Sequence, residues 1–89
     1  MTGIDVRNYI EKNYKHSSSI LRTAAFFCTT QGLGSESDRK YVEYRTDNYS
    51  DADNTHDIKY MTYIASSLAI ICQSEDDIAH LFHKFSNLF

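Results

Sequence analysis

Hydrophobic residues recur at helical spacing along most of this chain, and the densest run lies between residues 57 and 73. Positions three and four apart form one apolar stripe there, which we assign to the core of the chain: Ile58, Met61, Ile64, Ala65, Leu68, Ile71 and Cys72. A second line runs beside that stripe and consists of Tyr60, Tyr63, Ser67 and Ile70. Because the two lines together cover about two-thirds of a helical surface, the run predicts a helix over about 55–73. A helix this apolar is typical of the centre of a small bundle or of a subunit interface.

The ends of three further helices are marked by capping residues. Thr2, with Asp5 three residues later, is typical of a shortened capping box and predicts a helix over about 3–15. Gly32 followed by an apolar residue indicates the C-terminal end of a second helix over about 19–31. Ser74, followed by three acidic residues that suit the positive end of a helix dipole, predicts a last helix over about 75–88. Asn54 or Thr55 is the expected cap of the central helix.

The segment 37–45 is open between two conformations. Ser37 is a candidate cap for a short helix through Tyr44, whereas Lys40 to Arg45 alternates like an edge strand. No second strand is evident to pair with it, which favours helix or irregular structure. The chain contains no Pro and only three Gly, so few residues interrupt a helix. We therefore predict an all-α fold, with residues 1–89 forming a single domain, a small bundle of four to five helices.

Length and apolar content set the expected environment of the protein. A chain of 89 residues buries only about 60–65% of its extended surface, so self-association would help to stabilise it, and we predict a homo-oligomer. The N-terminal segment has charges from residue 5 onward and no apolar core of seven or more residues, so we do not expect a signal peptide. The longest apolar run, residues 64–72, is far shorter than the roughly 20 residues needed to span a bilayer. We expect a cytoplasmic protein that does not associate with membranes.

The net charge of −3 is unevenly distributed. Residues 1–45 carry seven Lys or Arg against five acids, whereas residues 46–89 carry two Lys against seven acids. The acidic second half would suit a basic partner protein. It also argues against DNA binding through the last two helices, because Glu75, Asp76 and Asp77 would face the phosphates in a helix-turn-helix.

Candidate chemistry is sparse, and we predict no catalytic residues, no metal site, no cofactor and no enzymatic activity. Cys28 and Cys72 each lie on an apolar face and are expected to be reduced core thiols. His80 and His83 share a helical face but lack the third ligand that zinc requires. The acidic run 51–57 lacks the Gly and Glu of a calcium-binding loop.

Two binding hypotheses remain. In the first, apolar surface in excess of what a small core can cover forms a partner or subunit interface through Tyr60, Tyr63 and Ile70. In the second, a basic–aromatic segment holds a nucleotide or another small ligand by stacking and charge. That segment comprises Arg39, Lys40, Tyr41, Tyr44 and Arg45.

The overall composition resembles that of small phage- or plasmid-borne inhibitors and bacterial immunity proteins. The shared features are small size, a composition rich in Asn, Tyr and Ser, and an acidic half. This resemblance is compositional and implies no particular residues. We therefore expect a non-enzymatic helical protein that acts as an inhibitor by occupying a surface of another protein, with ligand sequestration as the alternative.

Overall fold

The computed structural model describes residues 1–15, 17–48 and 56–88, and these residues form five α-helices and no strand. The helices are α1 (Gly3–Tyr14), α2 (Ser18–Thr30), α3 (Glu36–Asn48), α4 (Ile58–Ile71) and α5 (Glu75–Ser86). The predicted all-α bundle is confirmed. The segment that the sequence left open between helix and strand is helix α3, and it extends beyond the predicted bounds at both ends.

Three helix ends follow the capping pattern read from the sequence. The Thr2 hydroxyl accepts from the Asp5 amide at 3.2 Å, and the Asp5 carboxylate accepts from the Thr2 amide at 2.9 Å. Ser74 caps α5 through the Asp77 amide. Gly32 adopts a φ of 71°, and the amide of the residue after it donates to the Cys28 carbonyl at 3.2 Å. This closes α2 with the expected left-handed glycine.

Two caps differ from the prediction. Asp57 is itself the N-cap of α4, and its carboxylate accepts from the Tyr60 amide at 2.9 Å. The predicted caps, Asn54 and Thr55, lie outside the described residues. At α3 the Ser35 hydroxyl accepts from the Asp38 amide at 3.1 Å, so Ser35 and not Ser37 precedes the helix. Several neighbouring residues in both segments have side chains that can cap, and composition alone does not choose among them.

The core lies at the centre of the bundle, and all five helices contribute buried side chains to it. α4 packs against α1, α2 and α3, while α5 packs against α1 and α2. A sharp corner separates α4 from α5, since Cys72 and Ser74 both have extended backbone conformations. At the α5 side the Phe82 ring lies 4.5 Å from that of Tyr14 and 5.6 Å from that of Phe85, measured between ring centroids. The largest fully buried side chains are Tyr60, Phe82, Ile10, Leu21, Ile64, Leu68, Ile78, Val6, Val42 and Cys28.

The two apolar lines of α4 do not divide into core and surface as the sequence pattern suggested. Tyr60 and Tyr63 are buried, because α3 and the turn at residues 32–34 cover that side of the helix. Ile58 and Ile71 were assigned to the core stripe, and that assignment is wrong. Ile58 is 69% exposed at the first position of α4, and Ile71 is 42% exposed at its last. Neighbouring helices cover only one side of α4 at its two ends, where Tyr60 and Cys72 are buried but Ile58 and Ile71 are not, so periodicity alone overestimates the core there.

Candidate functional site

The exposed side of α4 carries two isoleucines with two small polar residues between them. We call these four residues the outer strip: Ile58, Thr62, Ser66 and Ile70. They are spaced four residues apart and therefore form one continuous ridge along the helix. Ile58 and Ile70 are 69% and 64% exposed, whereas α4 as a whole contributes seven buried residues to the core. The strip thus places exposed apolar side chains on the most firmly packed helix of the fold.

On one side the outer strip is bordered by α1. Arg7 donates from Nη1 to the Thr62 hydroxyl at 3.4 Å. Gly3 lies so close to Ser66 that an added Cβ would be 3.3 Å from its Oγ. Ile4 follows Gly3 and is 74% exposed, so it extends the apolar surface on the α1 side.

On the other side a groove of about 480 Å³ separates the strip from α3. Its walls include Val42 of α3 together with Tyr63 and Ser67 of α4. Asp38 and Lys59 also line it and supply one charge of each sign. Ile58 and Ile70 both line the groove as well, so strip and groove form one surface with a mainly apolar lining.

Tyr63 forms a rigid wall of this groove. Its hydroxyl donates to the Leu33 carbonyl at 2.7 Å, and its ring lies against the backbone of Gly34. Gly34 has a φ of +79°, and a Cβ there would lie 2.8 Å from Tyr63 Cε1. Burial raises the pKa of the Tyr63 phenol, which remains protonated and keeps its role as a donor at neutral pH.

A polar network fixes the start of α4 to α3. The Asp57 carboxylate accepts from the Tyr41 hydroxyl at 2.5 Å and lies 3.7 Å from Arg45 Nε. One turn further along, the hydroxyls of Thr46 and Tyr60 are 2.6 Å apart. Because Asp57 also caps α4, one carboxylate sets both the beginning of the helix and its position against α3.

The three residues predicted to form an interface have different positions. Tyr60 is fully buried, with its hydroxyl bonded to Thr46 inside the chain. Tyr63 is 7% exposed, and the turn at residues 32–34 covers it. The side chain of Tyr60 is therefore inaccessible to a partner in this conformation, and that of Tyr63 nearly so. Ile70 is the one of the three that another chain can contact.

The basic–aromatic segment predicted as a ligand site lies on α3, and its side chains extend in three directions. Arg39 donates to the Gly32 and Gly34 carbonyls and so stabilises the turn before α3. Tyr41 and Arg45 contact Asp57, and Lys59 lies 4.3 Å from the centre of the Tyr41 ring. Lys40 and Tyr44 are exposed, and Lys40 pairs with Glu36 at 3.3 Å. The five side chains therefore do not converge on one surface.

The cysteines lie in the interior and have little nucleophilic character. Both are free and buried. Burial raises the pKa of the Cys28 thiol to about 12, with a smaller opposing effect from a hydrogen bond to Ser67, and burial also raises the pKa of Cys72. A thiol with such a pKa stays protonated at neutral pH, whereas nucleophilic attack needs the thiolate.

Metal ligands are also scattered. The described histidines, His56, His80 and His83, are all exposed, and His16 lies outside the described residues. No group of three or more His, Cys, Asp or Glu side chains within residues 1–15, 17–48 and 56–88 is arranged to hold a metal ion. In the same residues, every helix is too short or too polar to cross a bilayer.

Comparisons with protein-family models, with curated proteins and with solved structures gave no match to this chain. The outer strip and its groove are therefore interpreted from their geometry. Sequence reasoning missed Ile58 as a surface residue. The available signal was the four-residue spacing, since Thr62 and Ser66 belong to the polar sector of α4 and Ile58 and Ile70 continue the same ridge on either side.

Proposed function

We propose that this protein is a non-enzymatic binding protein, of the inhibitor or immunity type, that occupies a surface of another protein through the outer strip of α4. The observation that carries the proposal is the exposure of Ile58 and Ile70, 69% and 64%, on one ridge beside a mainly apolar groove. Apolar side chains grouped on a surface are a feature of protein-binding sites, whereas single exposed ones are common everywhere.

The shape of the surface favours a helical segment of the partner. From Ile58 to Ile70 the strip covers thirteen residues of α4, and the twelve steps between them correspond to about 18 Å along the helix axis. A partner helix with apolar residues at three- and four-residue spacing could lie along the ridge and fill the groove. Tyr63 and Val42 are already held by the core, so such a partner would meet a preformed wall and little ordering free energy would be lost.

Arg7, Lys59 and Asp38 lie beside the strip itself, whereas the charges beyond its Ile70 end are acidic and would suit a basic rim of the partner there. Glu75 and Asp76 open α5 just beyond the Ile70 end, and both are exposed. Acidic side chains around an apolar centre would speed association with a basic surface and help to orient it, with a smaller effect on affinity. Action in the cytoplasm is part of the same proposal.

Site-specific photo-crosslinking tests the proposal. A benzophenone amino acid would replace Ile70 in one variant and Phe26 in another, and each would be produced in the cells that naturally make the protein. Phe26 is the matched control, because it is 62% exposed but lies on α2, beside a different part of α3. We expect position 70 to give an adduct with another protein and position 26 to give none. Equal labelling from both positions, or none from position 70, would contradict the proposed surface.

The adduct has a further internal control. Ile58→Ser, introduced together with the probe at position 70, removes the other apolar end of the strip without touching the core. A decrease in the adduct is expected if both isoleucines contact the same partner. An unchanged adduct would mean that contact at position 70 does not involve the outer strip as a unit.

A further inference from the structure

The outer strip has the same pattern when read from either end. Isoleucine occupies both outer positions, small hydroxyl residues occupy both inner positions, and each step is four residues. The midpoint of the strip lies between Thr62 and Ser66. Ridges of this spacing pack into each other at a crossing angle of about −50°, the commonest class of helix packing. A surface with this symmetry is suited to a twofold interface, in which the same patch is used by both subunits.

We propose that a second copy of this chain occupies the outer strip, with the two α4 helices packed antiparallel about a twofold axis between Thr62 and Ser66. In this arrangement Ile58 of one copy lies near Ile70 of the other, and Thr62 lies near Ser66. The inference rests on the proposed function only in taking the outer strip as a binding surface, and it names the occupant when no foreign partner is bound.

The small side chains at the centre permit close approach. Thr62 and Ser66 are the residues nearest the axis, and both are exposed. Helix axes approach to about 8–10 Å depending on the side chains at the contact, and small ones allow the lower end of that range. The two isoleucines would then supply apolar contact on both sides of the axis.

The charges at the two ends of α4 favour the antiparallel over the parallel arrangement, while Arg7, which bonds to Thr62 near the axis, is paired with Glu11 at 3.1 Å in each copy. Lys59 lies at the start of α4, and Glu75 and Asp76 follow its C-terminal end at the opening of α5. Antiparallel packing places the Lys59 end of each copy near the acidic end of the other, whereas parallel packing would place the two Lys59 ends together. The two helix dipoles are also opposed in the antiparallel arrangement.

The interface would be small and the dimer correspondingly weak. It would consist of the strip and Ile4 at its α1 edge, with the groove wall on the other side, which is less than the surface of large obligate dimers. We expect dissociation in the micromolar range. Because the same ridge would bind a foreign partner, dimerisation and partner binding would exclude each other.

Sedimentation velocity of the full chain across the micromolar range tests the association. The wild type should shift from monomer to dimer as concentration rises. Thr62→Arg places a bulky charge at the axis beside Arg7 of the same chain; circular dichroism checks that the variant is folded, and the folded variant should remain a monomer at every concentration. The matched control Phe26→Ser removes an exposed apolar side chain elsewhere and should dimerise as the wild type does. A wild type that stays monomeric, or a Thr62→Arg variant that still dimerises, would overturn the inference.

Disulfide trapping tests the register. An Ile58→Cys chain mixed with an Ile70→Cys chain should form a mixed disulfide dimer, while Ile58→Cys alone should not. The native cysteines are buried and give the background level. A product from Ile58→Cys alone, or none from the mixture, would overturn the antiparallel arrangement.

These results separate the inference from the proposed function. A monomeric wild type whose position 70 crosslinks to a foreign protein would remove the second copy and leave the proposed function standing. A dimer with no foreign adduct would remove the proposed function and support the inference.

Discussion

The inner and outer faces of α4 contain similar residues in very different environments. Ile64 and Leu68 on the inner face are fully buried among side chains of the surrounding helices, whereas Ile58 and Ile70 on the outer face are mostly exposed. The same residue type thus contributes to stability on one face and exposes apolar surface on the other. The proposed binding surface rests on this difference in exposure between the two faces.

Removing one side chain from each face of α4 tests most directly whether the two faces contribute differently to stability. Leu68→Ala should lower the free energy of unfolding by about 2–5 kcal/mol, because it leaves a cavity in a packed core. Ile70→Ala should change it by less than about 0.5 kcal/mol, since surface substitutions rarely do more. Urea unfolding of both variants measures this. Similar losses in the two variants would show that Ile70 supports the fold and is not reserved for binding.

The core against which the inner face of α4 packs contains Cys28 of α2, which should make stability depend on pH in the alkaline range. The pKa of the Cys28 thiol rises from its ordinary value of 9.0 to about 12 in the folded protein. Between these values the unfolded chain has lost the proton and the folded chain has kept it. Stability should therefore be intact below about pH 9 and fall toward pH 12, by up to about 1.4 kcal/mol per pH unit from this group.

Urea unfolding at several pH values measures that slope. The raised pKa values of Cys72 and Tyr63 act in the same direction, so the wild-type slope includes them. Cys28→Ala should reduce the slope while leaving their share. An equal slope in wild type and variant would show that Cys28 is not the buried group responsible.

The rigidity of the Tyr63 wall of the groove can be tested with substitutions at two glycines. Gly34→Ala should destabilise the fold by about 1–3 kcal/mol, because its φ of +79° is strained for alanine and its Cβ would meet the Tyr63 ring. Gly32→Ala has a φ of +71° but no atom within 4 Å of its Cβ, so it should lose only about 1 kcal/mol. Thermal unfolding of both variants gives the difference. Equal losses of stability in the two variants would mean that the Tyr63 ring moves aside at no cost and that the groove wall is not rigid.

The smallest expected effect concerns the start of α4. Asp57→Asn keeps an oxygen that can cap the helix but removes the charge near Arg45, and should lose less than about 1 kcal/mol. Asp57→Ala removes the cap and the acceptor for Tyr41 as well, and should lose about 1–2 kcal/mol. If Asn and Ala were equally destabilising, the charge and not the cap would be what fixes the helix to α3.

Most of the helical architecture could be predicted from the sequence, because helix ends and periodicity are local properties. The capping pair Thr2–Asp5 and the glycine at position 32 each act within a few residues of themselves. The conformation of α3 was open, since Tyr and Val are common in strands and its helix is stabilised by contacts with α4. Tertiary contacts of that kind leave no local pattern.

The site was less predictable, because it depends on which line of α4 another helix covers. The aromatic line through Tyr60 and Tyr63 looked like the excess surface, yet α3 and the turn before it cover both tyrosines. The spacing of Ile58 is that of a core residue, yet α3 covers Tyr60 in the same turn and leaves Ile58 69% exposed. Of the three residues predicted from the sequence to form an interface, Ile70 is the one that is exposed. Periodicity identifies apolar faces, but the arrangement of the helices decides which face remains open.

Crosslinking from position 70 tests the central claim, that the outer strip of α4 contacts another polypeptide chain. With the benzophenone probe at that position, we expect a covalent product above the mass of the monomer, formed with a partner protein or with a second copy. The same probe at position 26, equally exposed on another helix, should give no such product. Only monomer from position 70 in the protein's own cells and at high concentration in vitro would contradict the account.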